Sequence, residues 1–153
     1  MSEKPPDWLS HARAMMGQTP FFASIGAEIL DIGQAAARAR IAYGPHLVGD
    51  PDTGVIHGGV ITAVLDHLGG AAVIMALKEP APIATLDLRI DYMKPAAAGA
   101  DIFGEARCLK VTHEVAFVRG SAYQGDPGDP IAILTATYIL LQGNRPLPYP
   151  AKD

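Results

Sequence analysis

The stretch GGVITAVLDHLGGAAVIMAL, residues 58–77, is apolar almost throughout and carries Asp66 and His67 at its middle. It is about as long as a membrane span, but an aspartate at the centre of a membrane helix costs about 3 kcal/mol. No second stretch of this kind occurs in the chain. We therefore predict a helix that is enclosed by the rest of its own protein rather than by lipid.

The composition fits one domain with a substantial core. The chain has 153 residues, of which 49% are hydrophobic, and we treat residues 1–153 as a single domain. A formal net charge of −4 argues against a general nucleic-acid binder, because such a protein needs positive charge to displace counterions. The lone Cys108 cannot form an internal disulfide, and the opening residues contain no apolar run. Both features favour a cytoplasmic protein.

The regions on either side of the helix predict short elements. Residues 1–24 are predicted as a helical extension, since the apolar residues of DWLSHARAMM recur at helical spacing. Residues 27–43 are predicted as two strands joined at Gly33 and Gln34, and residues 44–56, rich in Gly, Pro and Asp, as a long loop.

Four further strands are predicted after the helix, at residues 83–92, 101–111, 114–123 and 131–141, followed by a loose tail over 143–153. In the first of them, alternation predicts a polar face of Thr85, Asp87, Arg89 and Asp91 and a core face of Ala84, Leu86, Leu88 and Ile90. One helix between runs of strands favours an α+β fold. We expect an antiparallel sheet of about five to six strands wrapped around one long central apolar helix.

Two glycines open the predicted helix directly after His57. Gly58 and Gly59 permit close approach of a ligand to the backbone, and their N–H groups lie unpaired at the positive end of the helix dipole. Such a helix start can bind an anion or stabilise a developing oxyanion. The alternative is that the glycines only allow a tight join between loop and helix.

Asp66 follows Gly59 by seven residues, which places both on nearly the same helix face, about 10 Å apart along the axis. A carboxylate in an apolar helix is either paired in the core or functional. If the glycine amides and Asp66 act on one reacting carbonyl, a second copy of the helix must run antiparallel beside the first. This interpretation predicts a homodimer with two equal sites at the subunit boundary.

Other polar residues admit both a structural and a functional interpretation. Thr85 is the residue best placed to face Asp66 from the following strand, although threonine is also an ordinary strand former. Arg89 and Lys94 are candidates for phosphate contacts or plain surface charge, as are Lys110 and Arg119.

The histidines do not form a metal site by spacing. His57 and His67 are ten residues apart, too far along one helix to share an ion, so no metal is predicted. We expect His57 to anchor the loop and His67 to lie near the interface.

The segments GVIHGGVITAVLDHLGGAAV, IATLDLRIDYMKPAAAGADIFGEARCLKV and VAFVRGSAY resemble the hotdog-fold thioesterases of the phenylacetic-acid-degradation (PaaI-like) type. The resemblance covers roughly residues 45–141. It rests on H-G-G, the gap of seven residues to Asp66, and the strand that ends in Y-M-x-P. It implies a hotdog fold and hydrolysis of acyl-CoA thioesters at a dimer interface. No cofactor is implied, because CoA belongs to the substrate.

The resemblance also implies residue roles. Gly58 would supply an oxyanion-binding amide, Asp66 of the partner subunit would activate water or attack as a nucleophile, and Thr85 would support that carboxylate. Related members often have an asparagine in the loop where this chain has Asp50-Pro51-Asp52, which leaves open the loop group that orients the substrate. We therefore take as catalytic Gly58, Gly59, Asp66 and Thr85, and as substrate-binding Asp50, Asp52, His57, His67, Arg89 and Lys94.

Two other functions fit the same fold. A hydratase or dehydratase would combine a carboxylate with a histidine, for which His57 could serve. A non-catalytic acyl-CoA-binding protein would use the same groove, although the presence of Asp66 argues mildly against it. The expected partners are acyl-CoA and further copies of this chain, in a dimer or a tetramer, without nucleic acid or membrane.

Overall fold

The fold consists of three helices and eight strands within residues 7–78 and 81–141, the part of the chain that the computed structural model describes. Helices α1 (Asp7–Met16) and α2 (Pro20–Ser24) precede strands β1 (Ala27–Gly33) and β2 (Ala36–Ile41). A hairpin of β3 (Val48–Asp50) and β4 (Val55–Ile56) leads into helix α3 (Gly58–Ala76). The chain continues through β5 (Ile83–Tyr92), β6 (Ile102–Val111), β7 (Val115–Tyr123) and β8 (Ala132–Leu140).

Six strands form one antiparallel sheet in the order β1-β2-β6-β7-β8-β5, while β3 and β4 form a separate hairpin. Helix α3 lies across this sheet and contacts each of its six strands. The predicted α+β architecture, an antiparallel sheet around one long apolar helix, is confirmed.

Small residues on the strands let α3 pack closely on the sheet. Val64, Leu65 and Leu68 of the helix are fully buried, and an added Cβ on Gly104 of β6 would lie 3.0 Å from Leu68. The buried alanines of the strands include Ala37, Ala39, Ala106, Ala116, Ala132 and Ala136. The helix has the length and composition of a membrane span, yet half of its apolar window is buried inside the protein.

Strand β5 contains a β-bulge that alternation in the sequence does not reveal. Thr85 pairs with Tyr138 but Asp87 pairs with Thr137, so Leu86 is the extra residue. An extra residue shifts the side-chain parity of a strand by one. Thr85 consequently faces α3, where its hydroxyl hydrogen-bonds Asp66.

The predicted division of β5 into two faces is therefore wrong at its first half. Thr85 does not share the polar face with Asp87, Arg89 and Asp91. Leu86, predicted in the core, is 58% exposed, and Ala84 is exposed as well. Beyond the bulge, Leu88 and Ile90 pack against the core as expected.

The prediction of one long loop over residues 44–56 is also wrong, because short elements form within it. A 3-10 turn spans Pro45–Leu47, and the β3–β4 hairpin follows. Asp50 Oδ2 accepts a hydrogen bond from Thr53 Oγ1 at 2.7 Å, which closes the hairpin turn. Buried Leu47 and Ile56 attach this region to the core.

Two further expectations concern a turn and the termini. The β1–β2 turn is made by Gln34 and Ala35, with φ of 51° and 59°, one residue later than predicted. Helices α1 and α2 fall within the predicted helical extension of residues 1–24. The first six residues of that extension and the predicted tail over 143–153 lie outside the described residues.

Candidate active site

The N-terminal end of α3 is capped by His57. Its Nδ1 accepts a hydrogen bond from the Gly59 N–H at 2.9 Å, so the neutral ring carries its proton on Nε2. Its carbonyl accepts from the Val60 N–H at 3.0 Å. The prediction that the Gly59 amide stays unpaired is wrong, because the histidine cap occupies it. The Gly58 N–H has no acceptor among the described residues and lies at the positive end of the helix dipole.

The first turn of α3 is also held from β5. The Tyr92 hydroxyl donates to the Gly58 carbonyl at 2.5 Å and lies 2.7 Å from Thr62 Oγ1. An added Cβ on Gly58 would lie 3.1 Å from Tyr92 Oη. Sequence reasoning did not select Tyr92, although it is the tyrosine of the Y-M-x-P pattern. These contacts fix the orientation of the Gly58 peptide relative to the sheet.

The β3–β4 hairpin packs against His57. An added Cβ on Gly49 would lie 2.8 Å from His57 Cα, so only glycine allows this close approach. Asp50 accepts hydrogen bonds from Thr53 Oγ1 and, at 3.1 Å, from the Asp52 N–H, and these bonds lower the pKa of its carboxyl. Asp50 thus closes the turn, Asp52 lies exposed in it, and a substrate-binding role for either stays a prediction.

Two turns further along α3, the Asp66 side chain meets a hydroxyl from β5. Thr85 Oγ1 donates to Asp66 Oδ1 at 2.9 Å. From β8, the Tyr138 hydroxyl donates to the Asp66 carbonyl at 2.8 Å and lies 3.1 Å from Oδ1. Oδ2 has no hydrogen-bond partner within residues 7–78 and 81–141, and Asp66 is only partly buried. One carboxylate oxygen is therefore held and the other is available to a ligand.

Tyr138 is a residue of this site that sequence reasoning missed. It is 2% exposed, and burial, together with the negative charge of Asp66, raises the pKa of its hydroxyl. The hydroxyl therefore remains a proton donor at neutral pH. Period-two alternation places Tyr138 on the same strand face as Leu134 and Ala136. This alternation was the one feature of the sequence that could have indicated that Tyr138 faces the core. The bulge that sets Thr85 opposite it was not visible in the sequence.

The two parts of the site open into different cavities. A cavity of about 180 Å³ lies beside Asp66, with walls that include Met16, His67, Ile74, Ile83, Thr85 and Tyr138. A cavity of about 430 Å³ lies at the start of α3, with walls that include Phe21, Leu47, Val48, His57 and Gly59. The two separate cavities agree with the distance of about 10 Å along the helix axis between Gly59 and Asp66 within one chain.

His67, predicted near the interface and the substrate, ties the N-terminal helices to α3. Its Nε2 is hydrogen-bonded to the Met16 carbonyl at 2.9 Å. Its ring stacks on that of Phe22, with 4.3 Å between centroids. His67 thereby fixes the N-terminal wall of the smaller cavity, and direct contact with a substrate stays a prediction.

The two predicted basic residues have carboxylate partners on the surface. Arg89 pairs with Asp91 of its own strand at 3.0 Å, and its side chain is 72% exposed. Lys94 pairs with Asp129. Neither cation contacts Asp66 within the protomer, and a role in holding phosphates stays a prediction for both.

The described residues contain no cluster of three or more His, Cys, Asp or Glu side chains suited to a metal ion. Cys108 is buried on β6, and burial raises the pKa of its thiol. A buried thiol of raised pKa is a weak nucleophile. The chemistry that these residues offer is therefore that of a carboxylate, hydroxyls and a backbone amide.

An antiparallel sheet around one apolar helix, with a free amide at the helix start and a carboxylate two turns on, defines a hotdog-fold protein. The sequence profile of the thioesterase superfamily matches residues 53–131, more than half of the chain. The chain belongs to the thioesterase superfamily.

Two curated relatives show the range of similarity. A medium/long-chain acyl-CoA thioesterase of Salmonella typhimurium is 27% identical over 134 residues, 79% of this chain and 85% of that protein. A candidate esterase of Halobacterium salinarum is 34% identical over 90 residues, 57% of this chain. This chain covers only 58% of the length of the Halobacterium protein.

Solved structures share the fold over most of its length. A Pseudomonas aeruginosa protein superposes with a TM-score of 0.74 at 37% identity, covering 86% of this chain and 97% of that chain. A phenylacetic acid degradation-related protein of Ralstonia eutropha superposes with a TM-score of 0.69 at 25% identity, covering 87% and 99%. The resemblance to hotdog-fold proteins of the PaaI-like type is confirmed.

Proposed function

We propose that this protein is an acyl-CoA thioesterase. The observation that carries the proposal is the Asp66 carboxylate, which stands in an apolar helix with Oδ1 held by Thr85 and Oδ2 free beside a cavity. Hydrogen bonds satisfy Oδ1 of this carboxylate, and Oδ2 remains available to act on a bound substrate. A relative named as a medium/long-chain acyl-CoA thioesterase aligns over 79% of the chain.

The site is completed by a second protomer in this proposal. Within one chain the Gly58 amide and Asp66 lie about 12 Å apart along one helix, so one thioester carbonyl cannot contact both. A two-fold dimer with antiparallel α3 helices would bring each Asp66 to the Gly58 of the partner. The sheet edge supports a subunit contact, because β8 is the one partner of β5 among the described strands. Leu86 on β5 and Met93 after it are exposed.

The reaction then needs only groups that this chain carries. The Asp66 carboxylate removes a proton from water as the water oxygen attacks the thioester carbon. The carbonyl electrons move onto oxygen, and the Gly58 N–H at the positive helix end stabilises this oxyanion. When the C–S bond breaks, the departing thiolate takes the proton from Asp66, which releases a carboxylic acid and CoA.

A nucleophilic route uses the same atoms. Asp66 attacks the thioester carbon, the thiolate leaves, and water hydrolyses the acyl–aspartyl anhydride. Single-turnover hydrolysis in ¹⁸O-labelled water tests the nucleophilic route. If water attacks the aspartyl carbon of the anhydride, ¹⁸O is incorporated into the Asp66 carboxylate. A label found only in the product acid is the result expected for an activated water.

Thiol release from a panel of acyl-CoAs tests the function. We expect free CoA to appear with wild-type protein and to fall about 10²–10⁴-fold in Asp66→Asn, the usual contribution of a general base. Glu114→Gln, which removes an exposed carboxylate between β6 and β7, is the control and should keep the wild-type rate. Binding without thiol release would favour a non-catalytic acyl-CoA-binding protein, and faster hydration of enoyl-CoA would favour a hydratase.

The assembly and location are part of the proposal. Light scattering should give a mass of at least two chains at catalytic concentrations, and a strictly monomeric active chain would contradict the shared site. The same measurement distinguishes a dimer from a tetramer. A cytoplasmic location stays a prediction, supported by the single, unpaired Cys108.

A further inference from the structure

Gly69 lies in the buried middle of α3, where glycine weakens a helix relative to alanine. The structure supplies a reason for its presence. An added Cβ at position 69 would lie 2.2 Å from Tyr138 Oη and 2.9 Å from Tyr138 Cζ. The missing side chain therefore leaves the space in which the Tyr138 hydroxyl meets the helix.

From this space the Tyr138 hydroxyl contacts two oxygen atoms of Asp66. It lies 2.8 Å from the Asp66 carbonyl and 3.1 Å from Oδ1. Thr85, the strand partner of Tyr138 across the β5–β8 ladder, donates to the same Oδ1 at 2.9 Å. Two hydroxyls from paired strand positions thus converge on one carboxylate oxygen, and Oδ2 receives neither.

We propose that Tyr138, seated over Gly69, is a positioning residue that holds Asp66 in the rotamer with Oδ2 presented to the substrate. This inference rests on the proposed thioesterase function. It assigns the proton transfer or nucleophilic attack to Oδ2 alone. Tyr138 touches no reacting atom, and it acts through the carboxylate that it orients.

The argument for positioning follows from the hydrogen-bond capacities. The phenol has one proton, and it shares that proton between the Asp66 carbonyl and Oδ1 in a three-centre hydrogen bond. Because burial and Asp66 keep the phenol protonated, it cannot compete as a base. Without it, the side chain of Asp66 keeps only the Thr85 contact and can rotate between orientations.

Tyr138→Phe tests this role, because it removes only the hydroxyl. We expect kcat to fall about tenfold, in line with the loss of a hydrogen bond to a charged group, with KM within about twofold of wild type. Gly69→Ala, which pushes the hydroxyl away from Asp66, should lower kcat in the same way. Tyr123→Phe, at another buried tyrosine on the neighbouring strand β7, should leave both constants unchanged.

A second comparison excludes a purely structural role. In an Asp66→Asn background, the residual rate no longer uses the carboxylate, so adding Tyr138→Phe should not lower it further. A tenfold loss in that background as well, or wild-type kcat in Tyr138→Phe, would overturn the proposal. Absence of thiol release from wild-type protein would instead overturn the thioesterase function and this inference with it, so the two failures are distinguishable.

Discussion

The start of α3 offers a hydrogen-bond donor, the Gly58 N–H, whereas the helical turn that carries Asp66 offers an acceptor, a carboxylate oxygen. The protein positions these two groups in different ways. At the start, the Gly58 N–H is free because the first amides of a helix have no acceptor within it, and His57 caps the Gly59 amide instead. At Asp66, a carboxylate oxygen is selected by side chains from two strands, Thr85 and Tyr138. The first arrangement is local in sequence, whereas the second depends on how β5 pairs with β8.

This difference determines which changes each region tolerates. A backbone donor is insensitive to most side-chain substitutions but is abolished by proline, which lacks the N–H. A side-chain network responds to the loss of a single hydroxyl. Variants that remove one kind of contact at a time therefore separate the contributions of the two regions.

The largest effect outside Asp66 itself is expected at Gly58. Gly58→Pro removes the free amide, and His57 already has φ −60° and ψ 129°, a conformation favoured before proline. We expect kcat to fall about 10²–10³-fold, as for other oxyanion donors. Steady-state thiol release measures it.

Gly58→Ala is the matched control for that prediction. It brings the same Cβ to within 3.1 Å of Tyr92 Oη but keeps the N–H. Its rate should exceed that of Gly58→Pro by at least about tenfold. Equal rates in the two variants would mean that the Gly58 amide is not the oxyanion donor.

A smaller effect is expected from the side-chain network. Thr85→Val removes the donor to Asp66 Oδ1 at nearly constant shape, and we expect kcat to fall about tenfold, with Thr85→Ser recovering most of the loss. Thr135→Val, on an exposed position of β8, is the control. A wild-type rate in Thr85→Val would show that the hydroxyl does not assist the carboxylate.

The smallest expected effect is on stability at alkaline pH. Because the folded-state pKa of Tyr138 is raised, its contribution to stability is complete below pH about 10, the ordinary phenol value. Above that pH the unfolded chain ionises while the folded phenol stays neutral. The free energy of unfolding should then fall by up to about 1.4 kcal/mol per pH unit from this group.

Urea denaturation of wild type and Tyr138→Phe between pH 8 and 11 checks this prediction. The wild-type protein should lose stability more steeply than the variant above pH about 10, and the two should run parallel below it. Parallel curves over the whole range would contradict the assigned environment of Tyr138.

Much of the fold and the part of the site at the start of α3 could be predicted, because the sequence patterns that indicate them are local. The apolar run around Asp66 predicts a core helix, and the H-G-G sequence marks the helix start. The same local reasoning failed at Gly59, because it did not include the ring of His57 as a cap. The His57 side chain, two residues earlier, accepts the hydrogen bond of the Gly59 N–H.

The part of the site around Asp66 depends on pairing between strands that are distant in sequence. Alternation alone puts Thr85 on the polar face of β5, and only the bulge after it turns the hydroxyl toward α3. Tyr138 is separated from Asp66 by 72 residues and lies in an ordinary alternating strand. The sequence analysis predicts the contact of Thr85 with Asp66, from the place of Thr85 on the strand after the helix and from the family resemblance, and the structure contains it. No pattern in the sequence signals the contact of Tyr138 with Asp66.

Complementation between two inactive variants tests the shared site most directly. In coexpressed Gly58→Pro and Asp66→Asn protomers, each mixed dimer carries one site with both groups intact and one with neither. Random pairing should restore about a quarter of the wild-type rate per protomer, far above either variant alone. Activity that stays at the level of the separate variants would show that each chain supplies its own amide and carboxylate, contrary to this account.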